Sequence, residues 1–298
     1  MKIIKGMECV FSKKNQSVET IKPGEIVEFH TIDCFGGQVK SEEQFITEID
    51  FSLANPTAGP VYIEGAQNGD VLIVDIIDIE VAKTGISCIV PGMGPLKDQS
   101  TLRTKVFQIE NDYSMFNDVK MKIEPMIGVI GVAPKDEDIP TGLTGSHGGN
   151  MDSRLIKKGS RVYLPVSTNG ALLQIGDLHA VMGDGELCGT GLEVDGKVVV
   201  KVELIKNFEL NYPVTQTNDK WYVNSTGKDY DDSLVKGVQE MTRLMTPVYN
   251  WDVEDISIYL SLQGSVEVNQ GIRPDPHGGM VNLRIGIPKV VNKDIVKK

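Results

Sequence analysis

Short β-branched runs separated by Pro, Gly, Asn and Asp govern the first 130 residues, the clearest being Gly24–His30, Val61–Ile63 and Val71–Glu80. That pattern predicts strands joined by tight turns. Residues 71–79, Val-Leu-Ile-Val-Asp-Ile-Ile-Asp-Ile, begin as a continuous apolar run and end in apolar/acidic alternation. Such a strand is buried on both faces at first and reaches an edge later. Asn68-Gly69-Asp70 just before it is a turn signal. Nothing in this part of the chain holds a helical period beyond one turn.

A strand restarts at Ile127, and the Gly/Thr-rich stretch that follows, to Asp152, is expected to be a long loop. Loops of that length inside a compact domain are functional or disordered. Strands resume at Arg161–Ser167, Ala171–Ile175 and Val198–Ile205. Helices are confined to the last quarter. Leu234, Val235, Val238, Met241, Leu244 and Met245 form one apolar stripe. Asp229, Asp231 and Asp232 stand at its start, where carboxylates cap free N–H groups, and Pro247 is expected to stop it. A second helix is expected from Asp252, turning Val253, Ile256, Tyr259 and Leu260 inward, with strands again between Gly264 and Pro288. The fold class is mainly β with two helices near the C-terminus. Three units are expected, at 1–124, 125–215 and 216–298.

Composition narrows the function. The 298 residues carry a net charge of −11 and a pI of about 4.9, so a nucleic acid duplex would be repelled. Cys9, Cys34, Cys88 and Cys188 form no Cys-x-x-Cys pair, which argues against a zinc knuckle and fits a reducing cytosol. The N-terminus lacks the apolar core of a leader, and no apolar run approaches the roughly 20 residues of a membrane helix. The expectation is a cytoplasmic protein with no nucleic acid or membrane partner. Exposed sheet edges suggest a homodimer.

Chemistry concentrates between Gly176 and Glu193. There His179 stands among Asp177, Asp184, Glu186 and Glu193, with Gly176, Gly183, Gly185, Gly189 and Gly191 interspersed. Imidazole and carboxylates on a close frame suit a divalent cation or an acid/base pair. The plainer alternative is a Gly/Asp turn carrying a surface histidine. A second concentration is Thr141–Asp152, where His147, Asn150 and Asp152 flank Gly148 and Gly149, so His147 and Asp152 could converge on one point. The plainer alternative here is a solvated Asx-rich loop. His277-Gly278-Gly279 lacks the following Asp and reads as a turn. His30 and Asp33 stand at a strand end, Asp33 being the stronger candidate. His-Glu-x-x-His and Gly-x-Ser-x-Gly are both missing, which disfavours zincin and serine mechanisms. A Cys188 nucleophile is conceivable, although such a cysteine is more often a small buried apolar residue.

Taken together, Asp33 within His30–Gln38, Asn55 to Ala66 with Gly69-Asp70, His147–Asp152, Gly159-Ser160 through Leu164-Pro165-Val166, and Gly176–Glu193 resemble the acetamidase/formamidase family. The resemblance runs in order from about residue 25 to Pro288. It implies a jelly-roll-like β-sandwich N-terminal part, followed here by a second, β-barrel-like part. It also implies hydrolysis of short aliphatic amides such as formamide and acetamide to carboxylate and ammonia. Family motifs match at Asp33, Asn55, Glu64, Gly149, Asn150, Asp152, Asp177, His179, Gly183, Gly185 and Glu186. Asn55, Glu64, Gly149 and Asn150 are the implied substrate-binding positions.

The expected mechanism uses a metal-activated water. Asp33, His147, Asp152 and His179 supply the ligands, in some subset of three. Glu186 acts as base and then acid, with Asp184 or Glu193 tuning it by like-charge repulsion. Zn²⁺ suits a mixed nitrogen and oxygen donor set, and Ca²⁺ would suit carboxylates alone. Two rivals stand beside this reading. One is a non-catalytic cation- or carbohydrate-binding β-sandwich; the other is a metal hydrolase of another small carbonyl compound, such as a lactam or cyclic imide.

Overall fold

The computed structural model describes residues 1–272 and 281–297. Two large sheets dominate it. The first has the strand order Lys2–Ile4, Ile26–Thr31, Gly196–Ile205, Val71–Val81, Arg161–Pro165, Val214–Gln216, Lys220–Gly227, Val281–Pro288, Ser265–Val268. The second runs Thr144–Gly145, Gly148–Asn150, Met126–Gly131, Leu173–His179, Glu193–Val194, Thr84–Cys88, Thr104–Gln108, with Glu19–Ile21 and Thr57–Ile63 joined alongside Leu173–His179. The first sheet takes strands from both sides of residues 124 and 215, and the second from both sides of 124.

One apolar core is shared by the two sheets. Val27, Phe29, Leu72, Val74, Val198 and Val200 from the first pack with Val61, Ile127, Ile130, Leu173, Ile175 and Leu178 from the second. Val71–Val81 behaves as its text predicts. Val71 to Val74 are buried, and exposed positions appear only from Ile77 onward. The stretch before Asp152 is not a structureless loop, because Ile139–Pro140, Thr144–Gly145 and Gly148–Asn150 are short strands. Backbone pairing, which a Gly-rich text hides, holds it: Gly148 and Asn150 pair with Gly131 and Val129.

Two helices close the far half of the first sheet. Helix α1, Tyr230–Tyr249, is capped by Asp229, whose side chain accepts from the Asp232 N–H. Met241, Leu244 and Met245 pack on Trp221, Val223 and Ile285, while Val235 is exposed and outside the stripe. Pro247 lies inside the helix rather than ending it. So near the C-terminus its missing N–H and its ring disturb only one turn. Asn250 ends α1 in the left-handed conformation. Helix α2, Val253–Gln263, buries Ile256 but exposes Val253. Neither helix is long and apolar enough to cross a membrane.

Helix α1 is tied to the chain before it through Glu240. That buried carboxylate accepts from the Asn211 backbone (2.9 Å) and side-chain amide (2.8 Å) and from Arg243 Nε and Nη2 (both 2.8 Å). Burial alone would raise its pKa, but the Arg243 and Asn211 hydrogen bonds outweigh burial and hold it below 4.5. A carboxylate depressed in the folded state adds stability above its unfolded pKa and loses it as pH falls through the folded one. Glu240→Gln should therefore unfold at lower denaturant than wild type at pH 7, with the gap closing as pH drops below about 4.5. A gap constant from pH 7 to pH 3 would assign the ion pair no part in stability.

Candidate functional site

Strand Leu173–His179 carries the site to the core. Asp177 and His179 are two residues apart on it, and Glu193 on the neighbouring strand pairs in register with His179. Asp177 adopts φ +53°, a backbone turn that re-aims its carboxylate. Asp152 comes two residues after the strand Gly148–Asn150, and Glu186 lies in the turn before the Glu193 strand. Both also take positive φ, +45° and +46°.

Four carboxylates meet at one nitrogen. His179 Nε2 lies 3.2 Å from Glu193 Oε2, 3.4 Å from Asp177 Oδ1, 3.8 Å from Glu186 Oε1 and 3.9 Å from Asp152 Oδ1. All five residues are buried, Glu186 at 8% being the most exposed. His179 Nε2, Asp152 Oδ1, Asp177 Oδ1 and Glu193 Oε2 find no hydrogen-bond partner among the described residues. Three glycines make the room. An added Cβ at Gly128 would sit 2.5 Å from Asp177 Oδ2 and 2.6 Å from Asp152 Oδ1, and one at Gly191 would sit 2.7 Å from His179 Nδ1. At Gly176 it would sit 2.5 Å from the Pro56 carbonyl. Each glycine is thus a steric requirement of the packing around the cluster.

Electrostatics makes the unneutralised cluster unfavourable. Donor atoms of Asp152 and Glu186 lie within 4.8 Å of each other, and two such charges repel by ~3 kcal/mol at an effective dielectric near 20. Burial, then the Asp177 charge, pushes the Asp152 pKa up to about 7. Burial likewise raises Glu193 to about 8, the Asp177 charge adding to it and His179 opposing. Glu186 is raised well above 4.5 by burial and by Asp152. For His179, burial acts downward but the charges of Glu193 and Asp177 prevail and lift it well above 6.5. Among the described residues two donor groupings arise, Asp152–His179–Glu186 and Cys34–Asp177–Glu193. Bonds of about 2.0–2.2 Å to one tetrahedral Zn²⁺ would set ligand atoms ~3.3–3.6 Å apart; from His179 Nε2, Glu193 Oε2 and Asp177 Oδ1 stand at 3.2 and 3.4 Å, and Glu186 Oε1 and Asp152 Oδ1 a little farther at 3.8 and 3.9 Å.

Not every expected residue joins. His147 is buried edge-on against Phe11 (4.9 Å), and no carboxylate among the described residues pairs with it. Its neighbour Gly148 pairs with Gly131, three residues beyond Gly128, so it stands roughly 10 Å along the sheet. Burial lowers its pKa to about 4 and keeps it neutral. Asp33 Oδ1 is taken by the Phe35 and Gly37 N–H groups at 2.9 and 3.0 Å, an Asx turn beside the cluster. His30 instead pairs with Glu28 at 2.6 Å. Asp184 is drawn off by the buried Arg284, whose Nη1 and Nη2 donate to it at 3.0 and 2.8 Å.

Among the implied substrate positions, Glu64 is exposed at the far end of Thr57–Ile63, roughly 20 Å from the Thr57–Gly176 pairing. Asn55 takes φ +51° and its N–H donates to the Cys34 carbonyl at 2.8 Å, close to the cluster. Gly149 lies against His147, and Asn150 Oδ1 has no donor among the described residues. The His277–Gly279 turn falls outside the described residues. Gln270 escaped the sequence reading altogether, since its text, Glu267-Val268-Asn269-Gln270, is that of an ordinary strand. In the fold it donates to both Asp152 Oδ2 (3.1 Å) and Glu186 Oε2.

Comparison with known proteins bears on the same segments. The sequence profile of the Acetamidase/Formamidase family matches residues 12–143 and 138–270. A predicted acetamidase/formamidase from the thermophile Thermoanaerobacter tengcongensis superposes with a TM-score of 0.92 at 38% identity, over 97% of this chain and 96% of its own. An acetamidase from Bacillus halodurans gives a TM-score of 0.92 at 36% identity over 96% of both chains. A formamidase from Methylophilus methylotrophus is 26% identical over 279 residues, which is 72% of this chain and 68% of its own length. The chain spans between 62% and 68% of the length of the curated relatives it matches.

The glycine packing has a measurable consequence. Gly128→Ala places a methyl group where the Asp152 and Asp177 oxygens now sit, and overpacking of this kind costs about 1–3 kcal/mol. The denaturation midpoint should fall accordingly, while the neighbouring Gly183→Ala, where an added Cβ meets nothing within 4 Å, should leave it nearly unmoved. Equal midpoints for the two variants would mean that the carboxylates yield without strain.

Proposed function

The chain belongs to the acetamidase/formamidase family, and on that premise we propose that it hydrolyses short aliphatic amides to carboxylate and ammonia with the aid of one divalent cation. The observation that carries the reading is the meeting of four buried carboxylates at His179 Nε2, with unpartnered oxygens aimed inward. So much negative charge in an enclosed core calls for a counter-charge at its centre. Asp152, His179 and Glu186 are the proposed ligands, and the imidazole among them favours Zn²⁺ over Ca²⁺. The bound cation would polarise the amide carbonyl and lower the pKa of a water molecule.

The chain's own groups do the rest. Glu193 has one oxygen fixed by the Gly191 N–H at 2.7 Å, which leaves Oε2 free. That oxygen is proposed to take the proton of the attacking water and hand it to the departing nitrogen, a transfer worth about 10²–10⁴-fold in rate. The role expected of Glu186 thus passes to Glu193, because the free oxygen of Glu186 falls in the ligand set. Asn150 Oδ1 is available to accept from the substrate N–H. Burial of the cluster residues suits an amide with a short chain. Four free thiols fit a cytoplasmic location. The edge strand Ser265–Val268, with Val266 and Val268 exposed, is the face proposed for a homodimer.

Ammonia release from formamide and acetamide tests the reading. Chelated protein should lose activity and Zn²⁺ should restore it; full activity after exhaustive chelation would overturn the cation. Glu193→Gln should keep the cation and lose roughly 100-fold or more in kcat, whereas Glu186→Gln should lose the cation. Metal analysis of the two variants checks the division, and the opposite pattern would exchange their roles.

A further inference from the structure

We propose that Gln270 is the positioning residue that sets the Asp152 and Glu186 carboxylates toward their shared point, and this inference rests on the cation reading above. Each of these carboxylates has two oxygens with separate tasks. Gln270 Nε2 donates to Asp152 Oδ2 at 3.1 Å and to Glu186 Oε2. The remaining oxygens, Asp152 Oδ1 and Glu186 Oε1, are the ones 3.9 and 3.8 Å from His179 Nε2. One amide nitrogen therefore uses its two hydrogens to hold two like-charged groups side by side and leaves their ligating atoms free.

The orientation of the amide is fixed from the other end. Gln270 Oε1 accepts the Ile272 N–H at 3.1 Å, so the nitrogen must face the acids. A flipped amide would present its oxygen to two carboxylates and lose that bond. The backbone around Gln270 is clamped to the loop that bears Glu186. The Gly185 N–H donates to the Asn269 carbonyl at 2.8 Å, and the Gly271 N–H donates to the Gly185 carbonyl at 3.1 Å. A Cβ on Gly271 would lie 2.8 Å from the Gly185 Cα, so the two chains touch. Arg284 completes the clamp by donating to Asp184 in that loop and to Asn269 Oδ1 at 2.9 Å. This gives Asp184 and Arg284 a purpose outside the cluster: they keep the Gln270 segment and the Glu186 turn in register.

Groups that orient metal ligands without touching the metal typically carry 10–100-fold in affinity. The test measures the Zn²⁺ dissociation constant of the full, chelator-stripped chain by competition with a chromophoric chelator. Wild type, Gln270→Met, which keeps the length and removes the donors, and Gln270→Asn, which keeps an amide but withdraws it by one methylene, are compared. Near-UV circular dichroism and the unfolding midpoint of the stripped proteins select the variants that fold. We expect either folded variant to bind Zn²⁺ roughly 10–100-fold more weakly, and ammonia release lost at limiting Zn²⁺ to recover at excess. Affinity within threefold of wild type in a folded variant overturns the role of Gln270 while leaving the cation reading intact. Failure of wild type itself to bind Zn²⁺ overturns both.

Discussion

Mutual repulsion among buried acids is the constraint around which this molecule is arranged. Asp152, Asp177, Glu186 and Glu193 surround one imidazole nitrogen at 3.2–3.9 Å, where water cannot screen them. Groups so placed shift their pKa upward unless a positive charge sits among them, and Asp152 and Glu193 are pushed to about 7 and 8. A structure that kept such a cluster without using it would carry its cost for nothing. The same repulsion explains why so many neighbours exist only to hold the acids still: Gly191 N–H on Glu193, Gln270 on Asp152 and Glu186, and Arg284 on the adjoining Asp184.

The scaffold solves the placement problem with rigid parts. His179 and Asp177 are on a fully buried strand flanked by Met126–Gly131 and Glu193–Val194, inside the core shared by both sheets. Asp152 and Glu186 come from turns, but turns pinned by positive φ and by pairing with the strands beside them. Cβ-free Gly128 and Gly191 let the strands approach the cluster closely enough for oxygens to occupy the space of side chains. The helices contribute nothing directly. They close the far half of the first sheet, from whose edge the Gln270 segment extends.

Much of this was legible. The β-rich class, the two late helices with their aspartate caps, the dual character of Val71–Val81 and the concentration of chemistry in Gly176–Glu193 follow from periodicity and composition alone. In the text Asp152 and His179 stand as candidate ligands and Glu186 as a candidate base, and the motifs that carry the resemblance to the amidase family lie largely within the segments that the family profile matches. Illegible were the exclusions. His147 and Asp152 share one loop in the sequence, yet the pairing of Gly148 with Gly131 carries the histidine away from the cluster. Asp184 shares a Gly-rich turn with Glu186, yet Arg284, a hundred residues on, takes it.

What the sequence by itself determined is everything local. An apolar run marks a strand up to Ile175, which the fold extends to His179, carboxylates before an apolar stripe start a helix, and glycines mark where the chain must come close to something. Only the tertiary structure decided which of those groups meet, because convergence depends on strand register and on partners contributed from far along the chain. Gln270 and Arg284 carry no signal of their own in the text. They acquire their roles from the acids that the fold brings to them, and hydrogen bonds of that range are written in no local pattern.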